Sequence, residues 1–285
     1  MKKPRISVVL NTFNEERNLS NALRSVKLWT DEIILVDMYS EDQTVEIAKK
    51  FGAKVYFHKR VLVFDEARAF AINQATGDWV LILDADELVP APLSRRLLQI
   101  ALRDEADVVL IPWLNYALGS PLMFTGWGPY QDKHPRFFKR GWMQVNARIH
   151  DFLKPLPGSR ILELSYSKGF AVYHFSYIDF TQFINKMNRY TTIEASQAFD
   201  RGEQPSYFKA LFRAAREFFN RYFRKFGYRD GWRGFYLSMF MAAYYLAYYA
   251  KLKELKAVGG ADKVLNSYQT VIETVLKGYE SGAWE

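Results

Sequence analysis

GDWVLILDADELVP, residues 77–90, passes from a glycine through the apolar stretch Trp79–Leu83 into three carboxylates at Asp84, Asp86 and Glu87. A short apolar run bounded by turn residues reads as a strand buried on both faces of a sheet. Upstream the same pattern recurs at Ile6–Leu10, Glu32–Asp37 and Ala53–Phe57. Between these runs the period becomes that of a helix. Leu19, Ala22, Leu23 and Val26 mark one over residues 18–28, and a third is predicted over 65–75. The second carries Thr44, Val45, Ile47 and Ala48, with Ser40 as its expected cap and Gly52 as its stop. Strands alternating with helices predict an α/β fold, a Rossmann-like, mostly parallel sheet flanked by helices. In such sheets ligands bind at the carboxyl ends of strands. Here Asn11-Thr12, Asp37 and Asp84-Ala85-Asp86 all follow strands, so polar groups gather on one edge. Neither a Gly-x-Gly-x-x-Gly nor a P-loop spacing follows any strand, which leaves dinucleotide and P-loop chemistry unsupported.

Downstream, a helix is predicted over 91–102 with Pro92 in its first turn, then a strand over 107–111. Residues 112–175 read as aromatic and irregular, with short strands at 136–139 and 170–174. No linker composition interrupts this half, so 1–190 is expected to be one domain and 191–285 a helical, basic and aromatic extension. The chain of 285 residues is 49% hydrophobic and 25% charged, a globular composition. The absence of cysteine excludes disulfides, thiolate metal sites and a cysteine nucleophile, and fits a reducing compartment. The start, MKKPRISVVLNTFNEE, has too short an apolar stretch for a signal peptide and reads as a first strand.

Two aspartates spaced i, i+2 at a strand end can share a hard cation such as Mg²⁺ or Mn²⁺, which prefers oxygen ligands and keeps positions open for phosphate. Such an ion neutralises the charge on a departing diphosphate. The competing reading is a helix cap or a solvated turn, and Glu87 is expected to be a solvated neighbour or cap.

Three stretches, SVVLNTFNEE, EIILVDMYSEDQT and FDEARAFAINQATGDWVLILDADE, resemble the signatures of family 2 glycosyltransferases of the GT-A type. HPRFFKR, ARIHDFL and YRDGWRGFYLSMFMAAYYLAYYAKL extend the likeness to the lipopolysaccharide-core β-glucosyltransferase branch, over roughly residues 5–255. The resemblance implies a GT-A fold, a nucleotide-sugar donor such as a UDP-hexose, Mg²⁺ or Mn²⁺, and inversion at the anomeric carbon. It implies a lipid-linked or lipopolysaccharide-type glycan as acceptor. By the same resemblance Thr12, Phe13, Asn14 and Glu15 match the nucleoside-binding loop, Asp37 the base contact, and Arg68 the basic residue near the phosphates. Asp84 and Ala85 would lie by the ribose and metal, Asp86 would ligate the metal, and His174 could reach the metal or phosphates. His150-Asp151 falls where relatives carry His-Glu, making Asp151 the expected general base, with Asp132 as its rival. The chain departs from the pattern at Ala69, at Met38-Tyr39 and at Asp151 itself, whose side chain is one methylene shorter than Glu.

The formal charge is +8, from 39 basic and 31 acidic residues. Most of the excess lies between Lys209 and Arg233, where eight basic residues face only Glu217 and Asp230. Residues 207–226 have apolar side chains at helical spacing and basic ones opposite, predicting a single amphipathic helix. Phe235–Ala250 has only Ser238 as a polar residue. At about 1.5 Å per residue it reaches roughly 24 Å, short of a hydrocarbon core of about 30 Å. A helix lying in the interface of an anionic membrane is therefore expected, placing the protein in the cytoplasm on the inner face of the cell membrane. The alternative is packing of this stripe on the catalytic domain or on a second copy in a homo-oligomer. Two rival functions compete with this reading. A nucleotidyltransferase would need a Gly-rich basic loop where NTFNEE stands. A nucleic-acid-binding module would leave Asp37, Asp84 and Asp86 without work, so no nucleic acid partner is expected.

Overall fold

The computed structural model describes residues 3–61, 65–145 and 153–280. The chain separates into two compact units, Met1–Ile178 and Asp179–Glu285. The division falls before the expected residue 190 because a helix that belongs with the C-terminal helices already begins at Phe180.

In the first unit the elements run β1 (Ile6–Thr12), α1 (Leu19–Val26), β2 (Glu32–Asp37), α2 (Thr44–Lys50), β3 (Lys54–Phe57) and α3 (Asp65–Asn73). They continue with β4 (Trp79–Ile82), β5 (Glu87–Leu88), α4 (Ala91–Arg103), β6 (Val108–Ala117), β7 (Ser120–Pro121) and β8 (Lys133–Lys139). The last are β9 (Met143–Val145), β10 (Leu153–Pro155), β11 (Ile161–Glu163) and β12 (Val172–Tyr177). The main sheet has the order β3-β2-β1-β4-β8-β6-β12-β5, with β7 and β11 also paired to β6. It is parallel across β3, β2, β1 and β4, and mixed beyond, because β8 runs antiparallel between β4 and β6.

Strand alternation sorts the apolar side chains into two cores. Ile6, Val8 and Leu10 of β1, Ile33 and Leu35 of β2, and Trp79 and Leu81 of β4 pack with α1 and α4. The residues between them, Val9, Ile34, Val36, Val80 and Ile82, pack with Ala67, Ala71 and Ile72 of α3. Each buried Val, Leu or Ile here contributes about 1.5–3 kcal/mol, and the double coverage explains why these strands carry no polar face.

A buried carboxylate pins the entry to β4. Glu32 accepts from Ser7 Oγ (2.5 Å), Lys54 Nζ (2.7 Å) and the Thr76 N–H (2.9 Å). Ser7 Oγ in turn accepts from the Gly77 N–H at 2.8 Å. A Cβ on Gly77 would lie 2.7 Å from Ser7 Oγ and 2.8 Å from the Arg5 carbonyl, so only glycine fits this crossing.

β6 is longer than the predicted strand, which stopped before Pro112. That proline is accommodated because β11 pairs β6 only up to Leu110 and β12 pairs it only from Trp113. The missing N–H falls in the gap between two partners, where no ladder bond is lost.

The second unit is helical: α5 (Phe180–Asp200), α6 (Tyr207–Phe219), α7 (Gly231–Val258) and α8 (Ala261–Glu280). Asp179 caps α5 by accepting from the Gln182 N–H at 2.7 Å, and Ser206 caps α6. The single helix expected over 207–226 is instead α6 followed by a π-helical turn, Asn220–Arg224, and a 3₁₀ turn, Gly227–Asp230. The break has a steric basis: a Cβ on Gly234 would sit 1.8 Å from the Gly227 carbonyl, so the chain crosses itself here at a distance only glycine permits. Lys251 Nζ of α7 lies 2.6–2.8 Å from Asn188 O and Oδ1, Thr191 Oγ1 and Thr192 Oγ1 of α5, four acceptors sharing its three N–H groups. No helix among the described residues is long and apolar enough to cross a membrane.

Candidate active site

The ends of β1 and β2 form one wall. Asp37, fully buried, accepts from Thr12 Oγ1 (2.9 Å), the Ser40 N–H (2.7 Å) and Ser40 Oγ (2.6 Å). Ser40 therefore does not cap α2. Its hydroxyl oxygen also accepts from the Asn14 N–H at 2.8 Å, tying the loop after β1 to the loop after β2. Asp42 takes over at α2, accepting from the Thr44 N–H and Oγ1. Asn14 and Tyr39 both hold a positive φ, 56° and 61°, which shapes these two loops. Tyr39 stacks on Phe57 with ring centres 5.3 Å apart, and the Arg60 guanidinium lies 4.0 Å from the Phe13 ring. Glu15 is pushed above the usual carboxylate range, first by burial, against a hydrogen bond from Asn18 and with repulsion from Asp86 and Asp84. That coupling shows the first loop facing the end of β4.

At that end Asp84 receives two arginines. Arg68 Nη2 from α3 lies 2.6 Å from Oδ1, and Arg136 Nη2 from β8 lies 3.1 Å from Oδ2. Burial opposes the charge on Asp84, but the two guanidinium groups outweigh it and hold the carboxyl well below its usual range. Glu87 corrects an expectation. It is 1% exposed, neither solvated nor a helix cap, and its Oε2 accepts from the Asp84 N–H at 2.8 Å. Burial first, then repulsion from Asp84, raises Glu87 to about 7. Ala85 is buried between the two acids.

Asp86 points the other way, toward β12, whose pairing with β5 sets His174 opposite Glu87. His174 Nε2 lies 3.4 Å from Asp86 Oδ2. Burial would lower the His174 pKa, but Asp86 and the neighbouring carboxylates reverse the sign and raise it. Behind the histidine, Asn115 of β6 links it to Asp132, and Asp132 Oδ1 meets His134 Nε2 at 2.7 Å. Trp113 is packed by His134 (4.2 Å between ring centres), His174 (5.1 Å) and the Arg136 guanidinium (4.5 Å). The turn that delivers Asp132 depends on Gly128, where a Cβ would meet the Met123 carbonyl at 1.9 Å. The Gly128 carbonyl accepts from the Asp132 N–H at 2.9 Å.

The structure thus brings Arg68, Asp84, Asp86, His174 and Asp132 to one sheet edge, with Glu15 facing them. Thr12, Phe13, Asn14 and Asp37 form the adjoining wall. His150 and Asp151 lie outside the described residues. Sequence reasoning missed Arg136, Trp113 and Asn115. An arginine within HPRFFKR reads as a solvent-facing strand residue, yet Arg136 is 6% exposed. Three donors at this edge, Asn11 Nδ2, Trp113 Nε1 and Arg136 Nη1, are buried without a hydrogen-bond partner. Buried donors are almost always satisfied, so Trp113 Nε1 and Arg136 Nη1, on side chains in contact with each other, fit an anionic or hydroxyl-rich ligand. Among the described residues no group of three or more His, Asp or Glu is placed to hold a metal. Asp84, committed to two arginines, does not stand with Asp86 as an open ligand. The residues that could hold a cation here are Asp86, whose carboxylate is the ligand type that suits Mg²⁺ or Mn²⁺, and His174 beside it.

The sequence model of glycosyl transferase family 2 matches residues 7–156. A glycosyltransferase of Rickettsia typhi is 31% identical over 219 residues, 73% of this chain and 72% of its own. A second, from Rickettsia prowazekii, is 30% identical over 224 residues, again 73% and 72%. Among solved structures, residues 1–349 of S. aureus TarS superpose with a TM-score of 0.47 at 16% identity, over 88% of this chain and 91% of that one. Glucosyl-3-phosphoglycerate synthase of Mycobacterium tuberculosis aligns over 40% of this chain and 44% of its own, at 25% identity and a TM-score of 0.34.

Proposed function

This chain belongs to glycosyl transferase family 2 and is a glycosyltransferase, and we propose that it moves a hexose from a UDP-sugar to a hydroxyl of a lipid-linked or lipopolysaccharide-type glycan, with inversion and with a divalent metal. One observation carries the donor half of this reading. Carboxylates, the half-buried Arg68, the buried Arg136 and the unsatisfied donors Trp113 Nε1 and Arg136 Nη1 meet where β4 ends. That is a place for a diphosphate and a sugar, and an apolar substrate would leave the unsatisfied donors uncompensated.

Asp86 and His174 would hold Mg²⁺ or Mn²⁺, which when bound supplies Lewis-acid neutralisation of diphosphate charge. Arg68 and Arg136 set positive charge beside the same position, and in a low-dielectric site such preorganised charge acts strongly. Arg136 Nη1 remains available for a ligand oxygen. Asp132, or Asp151, accepts the proton from the acceptor hydroxyl as its oxygen bonds to the anomeric carbon. The bond from that carbon to the diphosphate oxygen breaks on the opposite face, and the diphosphate leaves with the electron pair. A positioned base of this kind is worth about 10²–10⁴-fold. His134, 2.7 Å from Asp132, orients that carboxylate.

The acceptor half rests on the second unit. Phe208 is 88% exposed and Phe212 65%, interleaved with Lys209, Arg213 and Arg216 on α6. Exposed aromatic residues with surrounding basic charge fit the interface of an anionic membrane, where a lipid-linked acceptor resides.

A screen of nucleotide sugars with Mn²⁺, read as sugar hydrolysis and as a shift in Tm, tests the donor reading. A ligand at 100 times its Kd stabilises the folded state by about 2.7 kcal/mol. UDP-hexose is expected to give the largest shift, and Asp86→Ala to lose transfer by on the order of 10²-fold or more. Full Mn²⁺-dependent activity in Asp86→Ala would refute its role.

A further inference from the structure

Asn115 lies in the middle of β6, flanked by β8 and β12, and is 5% exposed. Its amide nitrogen Nδ2 is 2.8 Å from the Trp127 carbonyl oxygen and 2.8 Å from Asp132 Oδ2. A carbonyl and a carboxylate only accept, so the amide must face them with its two N–H groups. Turning it over would set Oδ1 against two acceptors in a buried site. The orientation is therefore fixed, and it dictates what happens on the other side.

There Oδ1 lies 2.6 Å from His174 Nδ1. An amide oxygen cannot donate, so Nδ1 must carry a proton. Ser176 Oγ is 3.3 Å from Asn115 Oδ1 and 3.0 Å from His174 Nδ1. Its hydroxyl donates to the amide oxygen, which leaves Ser176 Oγ as a second acceptor for Nδ1–H and reinforces the same tautomer. Nε2 is then the nitrogen presented to Asp86, 3.4 Å away, as a lone pair when the ring is neutral. In metal sites the partner of the remote ring nitrogen sets tautomer and orientation in this way.

We propose that Asn115 is a positioning residue whose single amide sets the Nδ1–H tautomer of His174 and anchors the Asp132 carboxylate, coupling the donor and acceptor sides of the site. Its importance to catalysis rests on the reading of His174 and Asp132 given above. The tautomer itself does not.

The test uses the full chain labelled with ¹⁵N-histidine, without metal, at a pH where the ring is neutral. The His174 resonances are identified by their absence in His174→Gln. In the wild type, Nδ1 is expected to show a pyrrole-type and Nε2 a pyridine-type shift. Asn115→Asp keeps an acceptor oxygen toward Nδ1 and should keep that pattern. Asn115→Ala combined with Ser176→Ala removes both acceptors and should lose it. Mn²⁺ added to the wild type should broaden His174, and the double variant should need about 10–100-fold more Mn²⁺ for the same effect.

A wild-type proton on Nε2 overturns the proposal, even if no variant folds. An unchanged tautomer in a folded double variant overturns it too. The expected tautomer with no Mn²⁺ broadening upholds Asn115 and removes the cation role of His174.

Discussion

Glu87 shows how far one side chain departs from what its neighbours in sequence suggest. It follows Asp84-Ala85-Asp86 with no periodic cue, and its burial comes from β5 pairing with β12, a partner more than eighty residues away. Its carboxyl is raised from 4.5 to about 7 by burial first and Asp84 second. Between those two pH values the folded chain binds a proton that the unfolded chain has released. Its contribution to stability is therefore present below about pH 4.5 and lost as pH rises through 7, by up to about 3 kcal/mol. Glu87→Gln keeps an acceptor for the Asp84 N–H and cannot ionise. Urea unfolding should find this variant close to wild type at pH 5 and more stable than wild type at pH 8. Equal stability at both values would contradict the assigned charge state. Arg136 was hidden for a similar reason, since a cation in a strand is seen to be buried only once Asp84 and Trp113 are placed around it.

At the scale of elements, the strand–helix alternation up to β4 was legible because β1, β2 and β4 are apolar runs covered on both faces, with the half-exposed β3 at the sheet edge. Legibility fails where geometry depends on distant partners. Pro112 made β6 look finished, and only the handover from β11 to β12 explains why it is not. Residues 207–226 keep one apolar period across the π-helical turn, because local spacing does not record the crossing of Gly227 and Gly234. Asp86, Asp84, Arg68 and His174 were nameable from motifs, whereas Asn115 and Trp113 sit in a stretch that reads as aromatic and irregular. The register of β4 rests on Gly77 and the Glu32 network. Gly77→Ala should destabilise by about 1–3 kcal/mol, the usual cost of overpacking, measured by chemical denaturation. The neighbouring exposed Asp78 offers a control whose change to Asn should cost less.

For the molecule as a whole, charge and exposed aromatic surface are concentrated in the second unit, while the buried acids and arginines belong to the first. This division predicts that surface attachment and chemistry can be separated by mutation. Flotation with vesicles rich in anionic lipid should recover the protein at low salt and release it at high salt, since each basic residue near such a surface adds about 1 kcal/mol. Phe208→Ser with Phe212→Ser should weaken flotation while leaving Mn²⁺-dependent hydrolysis of the donor unchanged. A protein that never floats, at any salt, would remove the membrane assignment and leave the donor chemistry untouched.

Trp113 has one further use. Its indole is wedged among two imidazoles and a guanidinium, and protonated imidazole is an efficient quencher of indole emission. The molecule therefore carries an optical reporter beside His134, His174 and Arg136. A difference spectrum against Trp113→Phe isolates that signal from the other tryptophans. Occupancy and ring charge can then be followed in real time without attaching a dye.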